Sequence, residues 1–253
     1  MIDNNRLSSL DARGYAVLEA LASAGLTRAA SHARPNAFIC VDGKTYWAKG
    51  QAQQGLVAEL VAGRLASKLN AGPLARVIRL TEGVASGDPH LEGVVVGIED
   101  LPNTINSKDL QPFLAGGQFD PGIVNPSSRA RVIAFQTWLG VVDAQVLVSM
   151  TDGSIWTIDH GDAFAATATQ TDPSIVIAPI PGVPDTVGKE VTYVEEAVRR
   201  IELISDNDLL IAVAGIPAGD PWRSPVDRRV EIAQWLAHRR GRIREVMGRW
   251  LQT

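Results

Sequence analysis

The 253 residues are 45% hydrophobic, 21% charged and 6% aromatic, with 23 glycines and 14 prolines. That composition excludes a disordered chain, a collagen and a coiled coil, and it suits one large globular domain or two small ones. No run approaches the roughly 18 apolar residues of a membrane span, and the net charge of −4 argues against a nucleic-acid partner.

Met1–Gly14 is polar and lacks the basic-then-apolar layout of a secretory leader. Residues 15–26 mix apolar and small residues and fit either strand or helix. Ala37–Cys40 and Thr45–Lys49 read as two strands around the turn pair Asp42-Gly43. In the second, Tyr46 and Ala48 face one way, and Trp47 and Lys49 the other. Cys40 is the only cysteine, which excludes an intrachain disulfide. With no leader, this points to the cytoplasm. The four histidines stand far apart, which argues against a structural zinc site.

Gln54–Leu69 is predicted as a helix, with Val57, Leu60, Val61, Leu65 and Leu69 as its apolar stripe. Beside the stripe runs a row of Glu59, Ala62, Gly63 and Ala66. The small residues let the backbone approach a sheet closely and aim the carboxylate into it. Asn70-Ala71-Gly72-Pro73 ends the helix. Ala75–Leu80 and Gly93–Ile98 follow as strands. Pro102–Ser128, rich in Pro, Asn, Gly and Ser, reads as mostly loop. Arg129–Leu139 is predicted helical, Val146–Val148 and Ser154–Ile158 as strands around Asp152-Gly153, and 165–188 as irregular. Val191–Leu203 is predicted as a helix, and Val226–Leu251 as a long one with Ile232, Leu236, Ile243, Val246, Met247 and Trp250 buried. Residues 222–253 hold eight arginines against three acids, a net +5, leaving −9 elsewhere. The simplest reading of that surplus is a solvated outer face. Strands with one helix, then a linker, then helices with a small hairpin, give an α+β layout: a β-rich N-lobe over 1–101, a linker over 102–128 and a helical C-lobe over 129–253, with a cleft between.

Four polar residues sit where an apolar element holds them: Lys49 at a strand end, Glu59 on the next helix, Asp143 after a helix and Asp159 after a hairpin strand. Phosphoryl transfer needs such a set. A lysine neutralises phosphate and a glutamate holds the lysine. One aspartate handles the nucleophile's proton, and another binds Mg²⁺.

The run Asp42-Gly43-Lys44-Thr45-Tyr46-Trp47-Ala48-Lys49, followed by Ala58–Ala66, resembles the N-lobe of HipA-like kinases, of the protein-kinase and phosphatidylinositol-kinase-like superfamily. The likeness resumes at Phe135–Asp143. It is strongest at Gly153–Phe164, with its Ile158-Asp159-His160-Gly161 core, and it extends to Trp235-Leu236 with Arg239-Arg240. It implies a two-lobed kinase-like fold and ATP/Mg²⁺-dependent transfer to an acceptor such as a protein Ser/Thr. By position it makes Lys49 the contact to the α/β-phosphates, Glu59 its partner, Asp159 the metal ligand and Asp143 the catalytic-loop base. Glu99, Asp100 and Leu101 become the hinge that receives adenine through backbone groups, and 31–36 the loop over the phosphates.

Two departures stand out. The family's loop runs from its Asp through basic and small residues to a metal-binding Asn; here Asp143-Ala144-Gln145 runs straight into Val146. No Asn is present in the loop, and Gln145 is the substitute oxygen ligand for Mg²⁺, or for Mn²⁺, which tolerates a looser site. Residues 31–36 also lack glycine. The alternative reading is a pseudokinase, a nucleotide- or protein-binding module whose partner is a regulatory protein. The sequence further predicts Lys49 and Glu59 within ion-pair reach, and 102–128 and 165–188 as the least regular stretches.

Overall fold

The computed structural model describes the chain except for residues 15, 26–36, 51–52, 86–92, 165–173, 218, 220, 223 and 253. The expected phosphate-covering loop at 31–36 lies outside the described residues, as does the first part of 165–188.

The elements in chain order are α1 (Asn4–Asp11), β1 (Val17–Ser23), β2 (Ala37–Cys40), β3 (Thr45–Lys49), α2 (Gln53–Lys68), β4 (Ala75–Leu80), α3 (Glu82–Ala85), β5 (Gly93–Glu99), β6 (Thr104–Asn106), α4 (Gln111–Ala115), α5 (Pro126–Leu139), β7 (Gln145–Ser149), β8 (Ile155–Ile158), α6 (Val191–Glu202), α7 (Asp206–Val213) and α8 (Val226–Gln252). Strands β1-β2-β3-β5-β4 close into a barrel, with β1 and β4 parallel. Strands β6-β7-β8 form a separate antiparallel sheet.

β3 alternates because one of its faces is the barrel interior. Tyr46 and Ala48 are buried with Phe38, Cys40, Ile78 and Val95, so Trp47 and Lys49 face outward towards α2. Helix α2 packs on the barrel at close range. A Cβ on Gly63 would stand 2.4 Å from the Ala75 Cβ, so the row of small residues is what brings Glu59 against the sheet. The α2–β4 connection also meets the second sheet, where the Thr157 N–H donates to the Ala71 carbonyl at 2.8 Å. That bond joins the barrel to the strand that carries Asp159.

The stretch 102–128 is more regular than its composition suggests. It contains β6, α4 and two 3₁₀ turns, at Ser107–Asp109 and Pro121–Ile123. Leu110, Phe119 and Val124 are buried against Val132, Val146 and Val148 in a small core of their own. Isolated anchors between polar residues hold it, and such anchors leave no periodicity. Residues 15–26, ambiguous in sequence, give the strand β1. The described residues 174–188 hold no helix or strand.

Helix α5 is capped at both ends. The Asn125 side chain accepts from the Ser128 N–H, and Gly140 adopts φ +65° at the C-terminus. Arg239 on α8 is buried, and it donates to the Trp138 and Thr137 carbonyls at 2.7 and 2.5 Å while stacking on Trp235 at 4.4 Å. A cation thus meets the negative end of α5. Other arginines of α8 stand in ion pairs. Arg244 pairs with Glu195 and Glu202, Arg240 with Asp206, and Arg229 with Asp11. The predicted stripe of α8 is buried as expected. Helix α7 was not expected; it opens on a capping box in which Ser205 and Asp208 satisfy each other's backbone N–H groups.

Candidate functional site

Lys49 is the last residue of β3, and α2 begins four residues later, so the lysine and Glu59 meet where strand and helix pack. Lys49 Nζ forms an ion pair with Glu59 Oε1, and it lies 2.7 Å from Asp159 Oδ1. Glu59 is fully buried. Burial alone would push its carboxyl up, but the Lys49 ammonium and the nearby His160 ring outweigh it and hold the group down at about 2. Burial likewise opposes the lysine's charge, and Glu59 and Asp159 together raise its pKa above the ordinary value.

Asp159 reaches the cleft through its backbone. It follows β8 with φ +60°, a left-handed turn that aspartate tolerates better than most residues. Beneath it the turn is braced. His160 is buried, with Nε2 2.9 Å from Thr157 Oγ1, and its Nδ1 lies 3.7 Å from Glu59 Oε2. Gln136 of α5 donates to Thr157 Oγ1 at 2.9 Å and to the Gln145 carbonyl at 3.1 Å. One buried amide therefore ties α5, β7 and β8 together behind the site.

Gln145, the first residue of β7, stands between the two aspartates. Its Nε2 donates to Asp159 Oδ2 at 2.6 Å and reaches Asp143 Oδ2 at 3.2 Å. Asp143 is mostly exposed and pairs with Lys108 at 3.1 Å. Its loop is held from behind by Asp162, whose Oδ2 accepts the backbone N–H groups of both Val142 and Asp143 at 2.7 Å. Asn106 of β6 donates to Gln145 Oε1 at 3.2 Å.

Lys49, Glu59, Gln145 and Asp159 line one cavity of about 150 Å³ with Trp47, Asn106 and Glu99. Asp143 opens onto a neighbouring groove. At the expected hinge, the Glu99 and Asp100 amides donate to the Leu74 and Thr45 carbonyls at 2.9 and 2.8 Å. The Glu99 side chain accepts from Lys44, and Asp100 from the Trp47 indole at 2.6 Å. The backbone donors at 99 and 100 are therefore committed within the barrel. Leu101 differs: its carbonyl accepts from Thr104 Oγ1, and its N–H has no acceptor among the described residues.

Asn106, Lys108 and Asp162 were not assigned roles from the sequence. Asp162 lies in the run Gly153–Phe164, three residues past Asp159, and that proximity was an available signal. Asn106 and Lys108 carried none, being 39 and 35 residues from their partners.

No protein-family model and no curated protein sequence matches this chain. Among solved structures, the crystal structure of a Helicobacter pylori proinflammatory kinase, CtkA, superposes with a TM-score of 0.53 at 11% identity, over 94% of this chain and 98% of that one. The fold is α+β and kinase-like. The open conformation of CtTel1 matches more loosely, with a TM-score of 0.39 at 16% identity over 85% of this chain and 11% of that one, and adds nothing to the argument. The likeness is one of fold. No helix among the described residues is long and apolar enough to cross a membrane.

Proposed function

We propose that this protein is an ATP-dependent phosphotransferase of the HipA-like type, with nucleotide bound between a β-rich N-lobe and a helical C-lobe. The observation that carries the reading is the single chain of contacts Glu59–Lys49–Asp159–Gln145–Asp143, assembled from β3, α2, the α5–β7 loop and the end of β8. Lys49 meets the nucleotide phosphates and Glu59 keeps it in place. Leu101 offers its amide to the base. Asp143 orients the acceptor hydroxyl, of a protein Ser/Thr or another alcohol, and receives its proton.

The donor set suits Mg²⁺, or Mn²⁺ as the looser alternative. Among the described residues no three His, Cys, Asp or Glu side chains form a cage. Mg²⁺ is commonly held by one or two carboxylates together with substrate phosphates. Asp159 supplies the carboxylate; the Gln145 amide, whose nitrogen faces Asp159, must turn over for its oxygen to join. The ion, when bound, neutralises charge on the phosphate oxygens.

One observation favours a second reading, a pseudokinase that binds nucleotide or a regulatory protein without transfer. Gln145 turns its amide nitrogen towards both aspartates, and its oxygen is held by Asn106.

Thermal unfolding with ATP alone and with ATP plus Mg²⁺ tests the binding. Ligand at about 100 times its Kd adds ~2.7 kcal/mol, roughly 5–10 °C for a chain of this size. That shift should require Mg²⁺ and be lost in Asp159→Ala. Labelling from radioactive ATP should disappear in Asp143→Ala. If no Mg²⁺-dependent shift appears, the nucleotide site is refuted. A shift without Asp143-dependent labelling establishes the second reading.

A further inference from the structure

The loop after Asp143 has neither a cation nor an asparagine, yet both stand beside it in space. Strand β6 pairs with β7 so that Asn106 lies opposite Leu147. The chain then turns through Ser107–Asp109, anchored by buried Ser107. This register closes a ring of hydrogen bonds. Lys108 Nζ meets Asp143 Oδ2 at 3.1 Å, and Gln145 Nε2 meets the same oxygen at 3.2 Å. Asn106 Nδ2 donates to Gln145 Oε1 at 3.2 Å, and Asn106 Oδ1 accepts the Lys108 backbone N–H at 3.0 Å. One asparagine thus sets the direction of the Gln145 amide with one end and the position of Lys108 with the other.

The ring stands between two spaces. Asn106 and Gln145 face the cavity that holds Lys49, Glu59 and Asp159. Lys108 and Asp143 face a groove of about 490 Å³ lined also by Val142, Ile175 and Ile177. A phosphoryl group moving from nucleotide to acceptor must pass from the first space to the second, and an ammonium beside Asp143 stands on that path.

We propose that the Asn106–Lys108 turn supplies the shortened loop with a cation from a different strand, with Lys108 the cation that meets the phosphoryl group at the acceptor and Asn106 the positioning residue that holds Lys108 beside Asp143. This rests on the phosphotransferase reading. In the step it serves, the bond from the γ-phosphorus to the β–γ bridging oxygen breaks and ADP leaves with that electron pair. The acceptor oxygen bonds to phosphorus, and its proton passes to the Asp143 carboxylate. Lys108 exchanges no proton; it stabilises charge on the phosphoryl oxygens.

The test uses the whole chain with Lys108→Ala, Lys108→Arg, Asn106→Ala and the Lys108→Ala/Asn106→Ala double variant. Transfer is followed as labelled protein plus released phosphate, and binding as the ATP thermal shift against Mg²⁺ concentration. Lys108→Ala should slow transfer by roughly 100-fold, the lower end of what a lost charge-stabilising donor costs, with the ATP/Mg²⁺ shift unchanged; Lys108→Arg should restore most of the rate. Asn106→Ala, which frees the Lys108 backbone N–H, should slow transfer by a smaller factor than Lys108→Ala and should add nothing to it in the double variant, because it acts through Lys108. Wild-type transfer in Lys108→Ala, or losses that add in the double variant, overturns the proposal, and a lowered melting temperature alone does not rescue it. If the wild type shows neither transfer nor a Mg²⁺-dependent shift, the phosphotransferase reading falls and takes this inference with it. If the wild type shows both and the variants match it, the inference alone fails.

Discussion

The two walls of the cleft each present a lysine–carboxylate pair, built in opposite ways. Glu59, on the barrel side, has 1% of its side chain exposed, whereas Asp143, on the opposite wall, has 67%. A buried carboxylate needs its partner, because it has given up its water and only the partner replaces it. An exposed pair can open and re-form with little change in free energy. The Lys49–Glu59 side is therefore fixed in the resting protein, and the Lys108–Asp143 side is free to open. Removing groups one at a time across the cleft should trace this gradient.

The largest loss of stability should come from Glu59→Ala. It leaves Lys49, half-buried, with only Asp159 as partner, so the cost should sit at the lower end of the 3–5 kcal/mol seen when a buried pair is broken, about 3 kcal/mol. Chemical denaturation measures it. Acid should produce a related signature. The Glu59 carboxyl is held below its ordinary 4.5, at about 2 when folded. Its stabilising effect is thus fully present above pH 4.5 and is lost as pH falls from there towards 2. The wild-type denaturant midpoint should drop across that window, and the midpoint of Glu59→Ala should drop less. Equal slopes would mean that Glu59 is not the charge that matters.

An intermediate effect belongs to Asp162→Ala. Its carboxylate accepts two backbone N–H groups, and each charged hydrogen bond is worth ~1.5–3 kcal/mol. Asp162 is only half-buried, so the net loss should be about 2 kcal/mol. Because those amides belong to Val142 and Asp143, transfer should also slow while the ATP/Mg²⁺ thermal shift persists. Asp162→Asn, which keeps one acceptor oxygen, should recover part of both losses.

The gradient also explains which parts of the molecule could be read in advance. Where a face is buried continuously, the residues repeat: the α2 and α8 stripes and the alternation of β3 were legible because core and solvent each claim a fixed side. The row Glu59, Ala62, Gly63, Ala66 was legible for the same reason, since close packing on Ala75 demands small residues. Helix α1 left little trace because Leu7 is its one buried side chain. Helix α7 did leave a signal in Ser205 and Asp208, a capping pair that an apolar stripe alone does not reveal. At the site, Lys49, Asp143, Gln145 and Asp159 lie at or beside the end of a strand or helix and Glu59 on a helix face, and ends and faces can be located by pattern. Asn106 and Lys108 reach the same cleft only through the β6–β7 register. A three-residue strand has too few positions to declare itself, so nothing local connected those residues to Asp143.

The smallest change in stability should accompany the largest change in rate. In Asp143→Ala the side chain lost is exposed, and its ion pair with Lys108 is of the surface kind, worth ~0–1 kcal/mol. Asp162 grips the loop through the backbone amides of Val142 and Asp143, and those bonds survive the substitution. Gln145 gives up one long contact to Asp143 and keeps its short one to Asp159 and its bond from Asn106. The denaturation midpoint should therefore move by no more than about 0.5 kcal/mol, while transfer falls by roughly 10²–10⁴-fold, the share of a general base. Salt sharpens the contrast. At 1 M the screening length is about 3 Å, so the exposed Lys108–Asp143 pair should lose what little it contributes, and the buried Lys49–Glu59 pair should not respond. If Asp143→Ala unfolds as readily as Glu59→Ala, the acceptor side is structural scaffold like its opposite wall, and the cleft does not divide its labour by burial.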